Sequence, residues 1–148
     1  MSNWSSLFAC ITLSVAATPA VLAQSYATVK WNNPRVPAKE DVAFCFQTGS
    51  PIQPKTFSND PSTVLRFTFS TETKTPFDYT VSFEGKILVS GSGGPKPGMY
   101  SFFDNAYVKE PIKENSTYRF VLHLEPHVIL SAASVDANTN AIRIVGCK

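Results

Sequence analysis

The chain carries two histidines, His123 and His127, with Glu125 between them. Alternate side chains of a β-strand point to one side. On an unbroken strand, His-x-Glu-x-His therefore presents two imidazoles and a carboxylate to one metal ion. Pro126 falls inside the triplet, and proline ends strands or keeps to their edges, so the competing reading is three solvent-facing polar residues at a strand end. Nucleophilic chemistry has less to stand on. There is no Gly-x-Ser-x-Gly elbow, the strained turn that exposes a serine nucleophile. Asp78, Glu84 and Glu125 occupy positions that belong to wet faces, whereas a glycosidase needs two carboxyl groups converging in a cleft. The expectation is a non-enzymatic protein without a cofactor. A small metal-binding protein or enzyme using His123, Glu125 and His127 is the alternative.

Gly91-Ser92-Gly93-Gly94 forms a glycine-rich segment. Such segments cradle phosphates when a helix starts behind them, but here Pro95, Lys96 and Pro97 follow. Read as a loop on a sandwich scaffold, the Gly-x-Gly-Gly pattern resembles the chagasin-type inhibitors of papain-like proteases. That resemblance implies inhibition by loop insertion. It covers this motif alone: the companion loop has only Asn59-Asp60-Pro61-Ser62-Thr63, and no Arg-Pro-Trp occurs. Just downstream, Tyr100, Phe102, Phe103 and Tyr107 cluster. Exposed aromatic residues beside loops are common anchors for partners. The favoured reading is thus a binding protein that recognises a protein or carbohydrate partner through end loops, with Gly91, Gly93, Gly94, Tyr100, Phe103 and Tyr107 as its contact residues. Net charge is only +2 and the lysines are scattered, so no basic run exists to track phosphates and nucleic acid is not an expected partner.

Where such a domain works is read from its first residues. Leu7 to Ala17 is an apolar run with no Asp, Glu, Lys or Arg before Lys30. Its length suits the h-region of a signal peptide and falls short of the roughly 20 residues of a membrane span. Val21 and Ala23 suit the −3 and −1 positions of a cleavage site, predicting a signal peptide over residues 1–23 and one domain over 24–148. The destination is extracellular or periplasmic, with no membrane insertion after cleavage. Leu7-Phe8-Ala9-Cys10 has the outline of a lipobox but lies too early in the run, and cleavage after Ala23 removes Cys10. Cys45 and Cys147 remain, and an even count in a secreted chain predicts one disulfide. Asn115-Ser116-Thr117 is an N-glycosylation sequon, meaningful in a eukaryotic secretory pathway.

The elements that must position these residues repeat with period two. Phe77, Tyr79, Val81 and Phe83 alternate with Asp78, Thr80 and Ser82, the pattern of a strand with one buried side. Glu84-Gly85 then predicts a tight turn into Lys86 to Ser90, with Ile87 and Val89 on one side. Ala27 to Trp31, Val42 to Phe46, Leu65 to Phe69, Tyr118 to Leu124 and Ile142 to Ile144 alternate in the same way. Met99 to Phe103 and Val128 to Val135 alternate less regularly. Breaker clusters separate them, among them Asn59 to Pro61, Gly91 to Gly94 and Asp136 to Asn140. Short strands at this spacing predict an all-β, immunoglobulin-like antiparallel β-sandwich of about 7–9 strands with one disulfide. Pro111 to Thr117 followed by Tyr118 resembles the loop-then-tyrosine entry to a late strand in such domains. One conflict stands out: Cys45 falls on the side opposite Val42, Phe44 and Phe46, whereas a cysteine bridged across a core should point inward, so either the Val42 face is a second apolar surface or a bulge resets the register.

Overall fold

The computed structural model describes residues 27–31, 36–37, 41–54, 62–95, 98 and 101–147. The predicted leader with Cys10, the Asn59 segment and Tyr100 lie outside the described residues. The expected antiparallel β-sandwich with one disulfide is what forms, from ten strands among the described residues: β1 (Ala27–Lys30), β2 (Val36–Pro37), β3 (Val42–Thr48), β4 (Leu65–Glu72), β5 (Phe77–Phe83), β6 (Lys86–Gly93), β7 (Ser101–Val108), β8 (Tyr118–Leu124), β9 (Ile129–Ala137) and β10 (Ile142–Val145).

The pairing is nested. β5 pairs with β6, β4 with β7, β3 with β8, and β1 and β2 in succession with β9. The strands β1 to β9 thus form one long antiparallel ribbon whose tip is the Glu84-Gly85 turn. Both tip residues have positive φ, 50° and 82°, as a two-residue hairpin turn of matching twist requires. The ribbon folds over so that β9 also meets β4 and β8 also meets β5. Two sheets result, β1/β2–β9–β4–β7 and β10–β3–β8–β5–β6. This is jelly-roll wiring, with β10 added along β3. The likeness to immunoglobulin-type domains extends to the sandwich architecture and not to this strand order.

Burial follows the alternation. In β4 and β5 every second side chain is buried, Leu65, Phe67, Phe69 and Thr71 facing Phe77, Tyr79, Val81 and Phe83. Phe67 of one sheet stacks on Phe120 of the other with ring centroids 4.7 Å apart, and Phe46, Phe83 and Tyr118 continue the stack. The hairpin departs from simple alternation. The register shifts after Val81, so that Val81 meets Val89 while Ser82 meets Ile87. Leu88 is the extra residue of a bulge, and Ile87, expected on the side of Val89, is turned out to 62 % exposure.

The Cys45 conflict resolves without either device anticipated for it. Phe44 and Phe46 face the core, and Cys45 faces outward from its sheet. Val145 of β10 lies directly across from Cys45, and two residues later Cys147 closes the disulfide at a Cα–Cα distance of 5.3 Å. The bridge staples neighbouring chain segments on the outer face rather than joining the two sheets, so Cys45 needs no inward orientation.

Candidate ligand-binding face

β7 is the edge of its sheet, paired with β4 alone. Its even-numbered residues, Phe102, Asp104, Ala106 and Val108, turn inward; Ser101, Phe103, Asn105 and Tyr107 turn outward. Phe103 is 68 % exposed and Tyr107 45 %. The strand rise separates their Cα atoms by about 13 Å, with Asn105 midway. Two aromatic side chains thus stand along the border of the sheet's outer face with a carboxamide between them.

The floor beside this ridge is polar and internally braced. Thr68, across from Asn105, donates its hydroxyl to Asn105 Oδ1 at 2.6 Å. The amide NH2 of Asn105 is thereby oriented for an outside acceptor. One row along, Tyr107 lies across from Arg66, and Arg66 across from Asp136. Arg66 Nε and Nη2 both donate to Asp136 Oδ2, at 2.9 and 2.7 Å. Thr28 donates to Oδ1 of the same carboxylate at 2.6 Å. Asp136, only 6 % exposed, is therefore charge-balanced and saturated with donors, as a buried carboxylate must be. Lys30, Ser134 and Ser70 complete the floor. An open hollow of about 540 Å³ lies where Glu72, Lys74, Thr75, His127 and Ile129 meet, at the Ser101 end of the face.

The ridge is held from beneath. Tyr79, in the opposite sheet, donates its hydroxyl to Asp104 Oδ2 in a short hydrogen bond. Burial first, then the bond and charge of Asp104, hold the Tyr79 phenol well above the usual tyrosine range. Asp104 Oδ1 accepts the backbone N–H of Asn105 at 2.7 Å. The Val108 carbonyl bonds Val64 in the chain leading into β4, so even-numbered residues direct their backbone groups towards β4 and the Asn105 N–H faces the open edge. Asp104 thus caps a donor in the middle of an edge strand, where an unpaired donor invites another strand.

The predicted contact residues are distributed differently from the expectation of end loops. Gly91 and Gly93 belong to β6, not to a projecting loop. A Cβ on Gly91 would lie 2.7 Å from the Tyr79 hydroxyl, and one on Gly93 would lie 2.7 Å from two atoms of the Phe102 ring. Their bareness makes room for two rings that tie β5 and β7 to β6. Gly94 backs onto Pro76, whose Cα would lie 2.9 Å from a Cβ there. Phe103 and Tyr107 are brought together on one face, but on a strand rather than a loop. Asp136, expected within a breaker cluster, instead lies in β9 and braces Arg66. The sequence signal for it was Arg66 itself, a cation at the wet position of a core strand.

The histidine triplet does not converge. His123 Nδ1 lies 2.5 Å from Asp41 Oδ1. His127 Nδ1 lies 3.7 Å from Glu125 Oε2, and Glu125 Oε1 accepts the Asp78 N–H at 3.2 Å. Residues 126–127 form a turn, as the proline implies, and each imidazole faces its own carboxylate. Among the described residues no group of three or more His, Cys, Asp or Glu side chains is placed to share a metal ion.

A scan against protein-family models finds no match, and a search of curated proteins finds none either.

Proposed function

We propose that this is a secreted, non-enzymatic binding protein that holds a carbohydrate chain on the outer face of the β1/β2–β9–β4–β7 sheet. The observation that carries the reading is the ridge of Phe103, Asn105 and Tyr107, two exposed aromatic rings flanking an oriented carboxamide. A sugar ring has an apolar C–H side that packs on an aromatic face and a hydroxyl rim that takes amide and hydroxyl partners. The ridge offers the first and Asn105 with the polar floor the second. A protein partner would ask for a contiguous apolar centre depleted of charge; here the rings are isolated in a hydroxyl-rich field containing the Arg66–Asp136 pair. The leader over residues 1–23 supports export. The disulfide agrees with it, since such bonds persist in oxidising extracellular or periplasmic surroundings.

The test is titration of the protein with a panel of soluble neutral and acidic polysaccharides, alongside Phe103→Ala and Tyr107→Ala. Each aromatic contact contributes about 1 kcal/mol. Each variant is therefore expected to bind roughly five- to tenfold more weakly at unchanged thermal stability, because both rings are exposed. Binding of a protein ligand with no polysaccharide bound, or polysaccharide binding indifferent to both substitutions, would refute the proposal.

A further inference from the structure

The turn between β7 and β8 carries a second kind of chemistry, independent of the ridge. Asn115 is exposed, with φ at 59°, a left-handed conformation that asparagine tolerates better than other non-glycine residues. Its backbone is pinned: the Asn115 N–H bonds the Thr48 carbonyl at 2.8 Å. Nearby, Tyr118 Oη accepts the Lys113 N–H at 2.9 Å and Ile112 pairs with Ile52. Among the described residues no hydrogen bond engages the Asn115 carboxamide, so a rigid turn presents an uncommitted amide to solvent. Two residues on, Thr117 is also exposed, and its hydroxyl oxygen accepts from Gln47 Nε2 at 2.6 Å. Beyond the leader, Asn115-Ser116-Thr117 is the sole Asn-x-Ser/Thr in the sequence.

We infer that Asn115 is an N-glycosylation site, occupied when the chain passes through a eukaryotic secretory pathway, and that its glycan stands over the sheet opposite the ridge. The donor is an oligosaccharide carried on a polyprenyl diphosphate, the class that pathway supplies. Asn115 Nδ2 attacks C1 of the first sugar. The C1–Nδ2 bond forms, the C1–O bond to the diphosphate breaks with its electron pair leaving on the diphosphate, and one amide proton passes to a base of the transferase. The direction of the glycan follows from the neighbours of the sequon. Thr117 and Gln47 line an open hollow of about 540 Å³ that also takes in Glu84, Arg119 and the disulfide, on the outer side of β3 and β8. Phe103 and Tyr107 project from the outer side of the other sheet. Occupancy at Asn115 therefore leaves the proposed carbohydrate face open.

The experiment is secretion of the full chain behind its own leader from a eukaryotic host, followed by intact-mass measurement and peptide mapping after amidase deglycosylation. One glycan per chain is expected, released by the amidase with conversion of residue 115 to aspartate. It should be absent from Asn115→Gln and from Thr117→Ala. Protein recovered from the medium with an unmodified asparagine at 115 would overturn the assignment. Retention in the cytosol would overturn both it and the secretory reading it rests on. The wild-type map decides even if either variant is poorly secreted. Loss of polysaccharide binding alone would refute only the proposed function, since the mapped residue does not depend on it.

Discussion

Gly93→Ala separates two accounts of the glycine-rich segment. If these glycines serve an adaptable loop, a methyl group there costs little stability. In the structure the new Cβ meets three atoms of the Phe102 ring at 2.7, 2.7 and 2.9 Å, inside any ordinary van der Waals contact. Phe102 has little room to yield, because its ring already touches Phe69, Phe77 and Tyr79. Overpacking of this kind costs about 1–3 kcal/mol. The reduced freedom of the unfolded chain returns about 0.4–1 kcal/mol. The net expectation is a loss of about 1–2 kcal/mol, read in a thermal melt as a Tm lowered by roughly 3–5 °C per kcal/mol for a domain of this size. Phe102→Leu should relieve the clash, so that Gly93→Ala costs less in that background than alone. A thermodynamic double-mutant cycle by urea unfolding measures the coupling directly. An unchanged Tm for Gly93→Ala, or a cycle with no coupling to Phe102, would show that the ring does not need the missing side chain and refute this account of β6.

Other consequences follow from the same braces. Tyr79 has its phenol pKa raised on folding, so the unfolded chain loses its proton first. The stabilisation is complete below the unfolded value of about 10 and is lost as pH climbs beyond it. Urea midpoints should fall on the alkaline side, and Tyr79→Phe should flatten that limb while costing about 1–3 kcal/mol at neutral pH by stranding Asp104. An alkaline limb unchanged in Tyr79→Phe would point to other groups. Asp104→Ala uncaps the Asn105 N–H on an open edge, and sedimentation velocity should then show more self-association than in the parent; a variant no more associated than the parent would mean the cap is not what protects β7. Removing the disulfide with Cys45→Ser and Cys147→Ser frees a closed loop with a sequence separation of 102. Loop entropy puts the loss at about 4–5 kcal/mol, visible as a lower urea midpoint that reductant reproduces in the parent.

Much of the fold was legible because burial on one side of a strand writes itself as alternation. Phe77 to Phe83 and Leu65 to Phe69 show it plainly, and Glu84-Gly85 marks the hairpin tip through the positive φ it has to adopt. Three features misled for identifiable reasons. Gly91 and Gly93 looked like a loop because glycine usually signals one; here they lie beneath Tyr79 and Phe102, which only pairing brings over them. Asp136 looked like a turn residue, although Arg66, 70 positions away, holds it inside a strand. Ile87 was misplaced because a bulge shifts the alternation by one residue.

By itself the sequence determined the all-β class, most strand positions, the cysteines Cys45 and Cys147 available for pairing and the sequon, since each depends on local spacing or residue type. The tertiary structure alone decided which strands are neighbours, and with that everything requiring a partner distant in the chain. The disulfide lies on an outer face because β10 adds to β3. Phe103 and Tyr107 stand exposed because β7 is an edge strand, and the floor beside them is rigid because β4 brings Arg66 and Thr68 between β7 and β9. Alternation states only that a side chain faces in or out. What it meets there is set by sheet order, which non-local packing selects.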